Sequence, residues 1–153
     1  MEYKPIPDAA LIRRAHDRFL DTGKVPNGVI PELIGRSWQR CAQTGVPNDR
    51  LRELGRLVAP DLKRACDAYG ELIGASEPVI DMLHQQLQGT GCVILLCAPD
   101  GLILRSLGDP DFVSRAEQVA LKPGVSWSED SKGTNAIGTA IVECAPVVVY
   151  GAQ

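Results

Sequence analysis

The chain has 153 residues, 44% of them hydrophobic, and a net charge of −3. That is enough apolar material for the core of one ordinary domain, and no basic field for nucleic acid. The N-terminus lacks a basic-then-apolar leader, and the longest apolar run, Cys92 to Ala98, is far too short to span a bilayer. A soluble, cytoplasmic protein is expected. The five cysteines are odd in number, lack disulfide-framework spacing and suit a reducing compartment as small hydrophobes.

Residues 1–7 carry two prolines and read as irregular. Asp8 can cap a helix to about Thr22, with Ile12, Ala15 and Phe19 on one face and Gly23 as the stop. His16 lies one position off that stripe and, without a partner cluster, reads as a surface residue. A loop follows over 24–31. Pro31 suits a helix's first turn. Ile34, Trp38 and Cys41 then recur at helical spacing, Gly45 ends the helix, and Val46-Pro47-Asn48-Asp49 reads as a turn. Trp38 reads as a core anchor, and Arg36 and Arg40 as a solvated face.

The stretch from Pro60 to Gln88 is expected to be almost entirely helical. Leu62, Cys66, Tyr69, Ile73, Ser76, Ile80, Leu83 and Leu87 alternate in steps of four and three, a heptad-like seam. The seam fits a helix packed on a sheet or on the earlier helices, and equally a parallel dimer contact. Ser76-Glu77-Pro78 predicts a kink or break near Ser76, because Pro78 removes an interior hydrogen bond while Ser76 can cap a new helix. His84 has no second ligand at its spacing and reads as surface.

After Gly89-Thr90-Gly91 the period changes. Cys92 to Cys97 is a short β-rich run, Ala98-Pro99-Asp100-Gly101 a turn, and Leu102 to Ser106 a second strand, so a hairpin is expected. Cys92 and Cys97 would point to opposite faces of a strand, which argues against a shared metal site. Asp111 to Val119 predicts a short helix with Phe112, Ala116 and Val119 inward. Pro146 to Tyr150 reads as a third strand.

Between them, residues 124–140 form the stretch densest in polar groups beside a helix start. Trp127 reads as the end of a short strand, Glu129 to Lys132 as a loop, and Thr134 as the N-cap of a helix carrying Ala136, Ile137, Ala140 and Ile141. Gly133 to Gly138 has the glycine spacing of a phosphate loop, but Thr139 stands where the lysine belongs and a charged run precedes the first glycine, so nucleotide hydrolysis is not expected here. The fold class is α+β: a helical leader over 1–75, then an antiparallel sheet with flanking helices over 76–153 that reads as cut off inside its domain.

Trp127-Ser-Glu-Asp-Ser-Lys-Gly-Thr-Asn-Ala-Ile-Gly-Thr-Ala140, with Glu143 and Pro146-Val-Val-Val149, resembles the GAF domain at the front of sigma-54-dependent transcriptional activators of the acetoin-catabolism regulator type. Ile34-Gly-Arg-Ser-Trp-Gln-Arg-Cys41 with Gly45-Val-Pro47, and the Thr90-Gly91 to Pro99-Asp-Gly101 hairpin, resemble the same group. The resemblance covers about Pro31 to Gly151. It implies a partial GAF domain and a cytoplasmic signal-sensing module that controls catabolic genes in response to a small metabolite. The family's ATPase domain and helix-turn-helix have no counterpart in these residues, so no direct nucleic-acid binding and no membrane contact are expected of them.

By the same resemblance, a ligand pocket would lie between the sheet and its cover, with Trp127, Glu129, Thr134 and Asn135 as ligand-binding residues. Trp127 would stack, Glu129 would accept from hydroxyls, and Asn135 with the amides after Thr134 would donate. No cofactor and no metal site is expected. An enzyme is not expected either, because no nucleophile, base and orienter come within reach in sequence. The alternative is a dimerisation or interaction module without its own ligand, a homodimer through the 60–88 helix.

Overall fold

The computed structural model describes residues 8–46 and 57–151. The expected irregular stretch 1–7 and most of the turn after Val46 lie outside those residues. The chain forms two compact units: 1–48 with 128–153, and 49–127.

In the first unit, α1 runs Ala9–Thr22 and α2 runs Glu32–Thr44. Asp8 caps α1, its carboxylate accepting from the Ala10 amide at 2.8 Å. Gly23 and Gly45 end the two helices in left-handed conformation, as their positions predict. Ala15, Phe19, Ile34 and Trp38 form the core, with Val25, Val29, Ile30, Val147 and Val149 packed against it. His16 is not a plain surface residue. Its ring meets Trp38 edge-on, centroids 4.9 Å apart. Trp38 buries its indole N–H without an acceptor among the described residues.

Two short helices complete this unit: α6, Glu129–Lys132, and α7, Ala136–Glu143. The stretch from Glu129 to Lys132 is thus one helical turn, not a loop. Pro146 to Tyr150 is not a strand. Val147 and Val149 are half-buried and Val148 exposed, so the alternation of a strand is present, but the segment joins no ladder. Its alternate valines bury against the α1–α2 core instead.

In the second unit, α3 spans Ala59–Ala68, α4 Gly70–Leu87, β1 Val93–Cys97, β2 Ile103–Gly108 and α5 Pro110–Gln118. The expected break near Ser76 is absent. It falls earlier, at Tyr69, beside the poorer helix former Gly70. Pro78 sits inside α4, and the Ser76 hydroxyl donates to the Leu72 and Ile73 carbonyls. The boundary expected at residues 75/76 falls within α4.

The expected hairpin forms: β1 and β2 pair antiparallel, Val93 opposite Gly108 and Leu95 opposite Ser106, with an irregularity after Leu96. A Cβ at Gly108 would lie 2.4 Å from the Cys92 carbonyl oxygen, so only glycine lets the strands meet there. Ile73, Ala98, Leu102 and Leu104 form the core, joined by Cys66, Tyr69 and Leu96. Much of the heptad seam therefore packs on the hairpin. The segment before Trp127 lies along β2: Ile103 donates to Val125, and Trp127 to Gly101. On α5 only Ala116 is buried; Phe112 is 39% and Val119 44% exposed, not inward as the spacing predicts. No described helix is long and apolar enough to cross a membrane.

Candidate functional site

Helix α2 carries Glu32, Arg36 and Arg40 at successive steps of four, which places them along one face. Ser37 and Cys41 form the adjacent row. Facing them are α6, which begins at Glu129, and α7, which ends at Glu143. Gly133 links the two helices at φ 70, ψ −160, a conformation essentially reserved for glycine. That turn brings Thr134 and the Glu129 side chain to the same hydroxyl of α2.

Ser37 is the hub. Its hydroxyl is 2.6 Å from Glu129 Oε1, 2.8 Å from Thr134 Oγ1 and 3.2 Å from Thr139 Oγ1. Ser37 and Thr139 are 0% exposed, Glu129 5% and Thr134 7%. An ionised carboxylate only accepts, so the single Ser37 proton goes to Glu129. Thr134 then donates to Ser37, and the single Thr139 proton is shared between Ser37 and Glu129. The proton order of the cluster is thereby set by the charge on Glu129.

Arg40 holds that charge in place. Its Nε donates to Glu129 Oε2 at 2.8 Å and its Nη2 to Oε1 at 2.9 Å, a bidentate fork. Its Nη1 turns to Glu143 Oε1 at 2.7 Å. Arg36 grips the same Glu143 through Nε and Nη2, and reaches Glu32 through Nη1 at 2.9 Å. The charges alternate from Glu32 through Arg36, Glu143 and Arg40 to Glu129.

Burial raises the Glu129 carboxyl, but hydrogen bonds from Arg40, Ser37 and Thr139 outweigh it and hold it below the usual range. The Glu143 carboxyl is drawn down to about 2, first by the Arg36 hydrogen bonds and then by Arg40. The Arg40 guanidinium is raised, chiefly by the Glu129 hydrogen bonds. Burial pushes the Cys41 thiol up, away from the thiolate form. A buried pair of this kind adds modestly to stability but is costly to break, because the remaining charge stays buried. Its main effect is to fix α2 against the α6–α7 corner in one register.

The structure brings Glu129, Thr134 and Asn135 together in the first unit and places Trp127 in the second. The Trp127 indole N–H donates to the Ala120 carbonyl at 3.0 Å. Asn135, not Thr134, is the N-cap of α7: its Oδ1 accepts from Ile137 and Gly138 at 2.9 and 2.8 Å. Thr134 turns to Ser37 instead. Sequence reasoning missed Ser37, Arg40 and Thr139 as polar partners; Arg36 is exposed as expected but ion-paired, and Arg40 is partly buried in the network. The spacing of four between the arginines was the available signal, but their acceptors lie 89 and 107 residues away. Among the described residues no group of three or more His, Cys, Asp or Glu is placed to hold a metal.

On the same helix lies a groove of about 410 Å³, lined by Val25, Pro26, Ile30, Pro31, Arg36 and Gln39 among others. Gly35 forms part of it, and a Cβ there would meet Val25 Cγ1 at 2.8 Å.

A family model described as "MimR, N-terminal domain" matches residues 7–153. The propane 2-monooxygenase operon transcriptional activator MimR of Mycolicibacterium smegmatis is 31% identical over 142 residues, 92% of this chain and 23% of that protein. The acetoin dehydrogenase operon transcriptional activator AcoR of Bacillus subtilis is 26% identical over 89% of this chain and 22% of its own length. The acetoin catabolism regulatory protein of Cupriavidus necator is 28% identical over 79% of this chain and 18% of its own. The chain thus spans about a quarter or less of these relatives, and they bear out the resemblance to the acetoin-catabolism regulator type. In fold it resembles the N-terminal part of E. coli DhaR, solved in complex with DhaL, with a TM-score of 0.64 at 17% identity over 74% of this chain and 38% of that one.

Proposed function

The chain belongs to the MimR N-terminal domain family, and from that premise we propose that it is the signal-sensing module of a cytoplasmic transcriptional activator, binding a small metabolite and controlling catabolic genes. The observation that carries the reading is this membership, because the named relatives are operon activators and the matching family model is described as an N-terminal domain. The buried network supplies a physical route for a signal. It is a rigid polar joint between the corner and a leader helix, and small shifts at such a joint move between discrete arrangements. Glu129, Thr134 and Asn135 are the residues whose bonding an effector changes in this reading. The half-buried ring of Trp127 is a separate stacking surface within the second unit.

The test is thermal unfolding of the chain with a panel of small hydroxyketones, diols and carboxylates. A ligand that binds the folded state raises the midpoint in a saturable way. A midpoint unmoved by every compound contradicts the reading.

One observation favours a second reading, an interaction module that forms a homodimer through α4. Leu72, Val79 and Met82 are 40%, 52% and 48% exposed on a face that the hairpin does not cover. Sedimentation across a concentration series tests it: a mass that never rises above the monomer ends the dimer reading.

A further inference from the structure

We propose that the groove between residues 25–31 and α2 is the effector site, and that it takes a short-chain carboxylate read by Arg36. The inference rests on the sensing function above and names the site and ligand class within it.

The groove's volume, about 410 Å³, is within the range of small-molecule sites. One part is apolar: Val25, Pro26, Ile30 and Pro31 offer contact to an alkyl chain. The other part carries Arg36 and its partner Glu32, with Gln39 beside them. Arg36 directs Nε and Nη2 to Glu143, whose side chain is only 9% exposed, and that contact is firmly built. Its remaining partner is different. Glu32 is 88% exposed and is held only through Nη1 in a pair one turn apart. Exposed pairs at that spacing are weak. A ligand carboxylate that also buries an alkyl chain can displace Glu32 from Nη1 at little cost. Displaced from Nη1, Glu32 turns its 88% exposed carboxylate to solvent, and the ligand carboxylate takes its place on the guanidinium.

The exchange has a consequence inside the protein. Arg36 shares Glu143 with Arg40, and Arg40 forks onto Glu129. A ligand on the Nη1 side of Arg36 therefore acts on the first link of the chain that ends at Ser37 and Thr134. The groove, not the corner itself, becomes the receiving end.

Acetate, propionate and butyrate are titrated into the 153-residue chain, each against sodium chloride at matched ionic strength, with the melting midpoint as readout. Propionate or butyrate is expected to raise the midpoint saturably and more than acetate. Gln39→Trp, at an exposed helix position, fills the groove and is expected to abolish the shift while leaving the ligand-free midpoint near that of the parent. Arg36→Lys keeps the charge and loses the fork, and is expected to weaken the titration about tenfold or more. An equal shift in the parent and in Gln39→Trp overturns the site while leaving the sensing function standing. A shift given only by neutral diols or hydroxyketones overturns the ligand class. No shift by any compound on the parent chain overturns the sensing function with it. If Gln39→Trp melts early, Asn27→Trp on the opposite wall gives the same test from an exposed turn.

Discussion

The Ser37 hydroxyl donates to Glu129 Oε1 at 2.6 Å, and both side chains are shielded from water. A buried carboxylate is costly unless its lone pairs are met. Here they are met chiefly by the Ser37 hydroxyl and the Arg40 guanidinium of α2, with the Thr139 hydroxyl of α7 beside them. Helix and corner are therefore mutually dependent: neither polar surface is stable in isolation from the other.

That dependence predicts strong coupling between Arg40 and Glu129. Arg40→Ala leaves Glu129 buried and half-unpaired, and is expected to cost about 3 kcal/mol. Glu129→Gln removes the charge, so adding Arg40→Ala to it costs less than the sum. Urea denaturation of the four proteins should give an interaction energy of about 1–3 kcal/mol. Additive costs would mean that the fork contributes nothing in solution.

Ser37→Ala removes one donor and leaves three buried oxygens short of a partner. A loss of about 1–3 kcal/mol is expected, measured at unchanged denaturant slope. Ser37→Thr is no rescue, because the added methyl has no room beside side chains this buried.

Acid should open the Glu143 end of the network. The folded-state carboxyl lies at about 2, below its ordinary 4.5, so its contribution is complete above 4.5 and is lost as pH falls from there toward about 2. Glu129 is lowered as well and adds to the same slope. Melting followed from pH 6 to pH 2 should therefore show a steeper fall in the parent than in Glu143→Gln. Parallel curves would contradict the assignment.

The two polar residues before α7 should separate cleanly. Asn135→Ala removes the cap bonds to Ile137 and Gly138 and is expected to cost about 1 kcal/mol. Asn135→Ser should recover much of it, since serine caps too. Thr134→Ala acts through Ser37 instead, so its cost should vanish in a Ser37→Ala background. Denaturant melts of these variants decide both points.

Much of the fold was legible where a single residue carries the local signal. Asp8 and Gly23 bound α1, Gly45 ends α2, and Pro99-Asp100-Gly101 turns the hairpin. Legibility failed where the outcome depends on a distant partner. Period-two alternation over Pro146 to Tyr150 reports half-burial, and pairing needs a neighbouring edge that the sequence does not name. Pro78 is a breaker in an isolated helix, yet α4 continues through it because residues on both sides, Ile73 and the half-buried Ile80 and Leu83, lie on one continuous buried stripe. The network was hidden for the same reason. Glu129 is readable as a chemically capable group, but nothing near it in sequence says that an arginine of α2 covers it. Thr134 was the expected cap of α7, and the turn at Gly133 gives that place to Asn135 instead.

The most direct test of the joint is native-state hydrogen exchange across α2, comparing the parent with Glu129→Gln under conditions where both are folded. The network account predicts faster exchange at the α2 amides around Ser37 and Arg40 in the variant, in step with those of α7, while α4 and the hairpin keep their protection. Unchanged protection in α2 alongside a loosened α7 would contradict it, because the corner would then move without the helix it is said to hold.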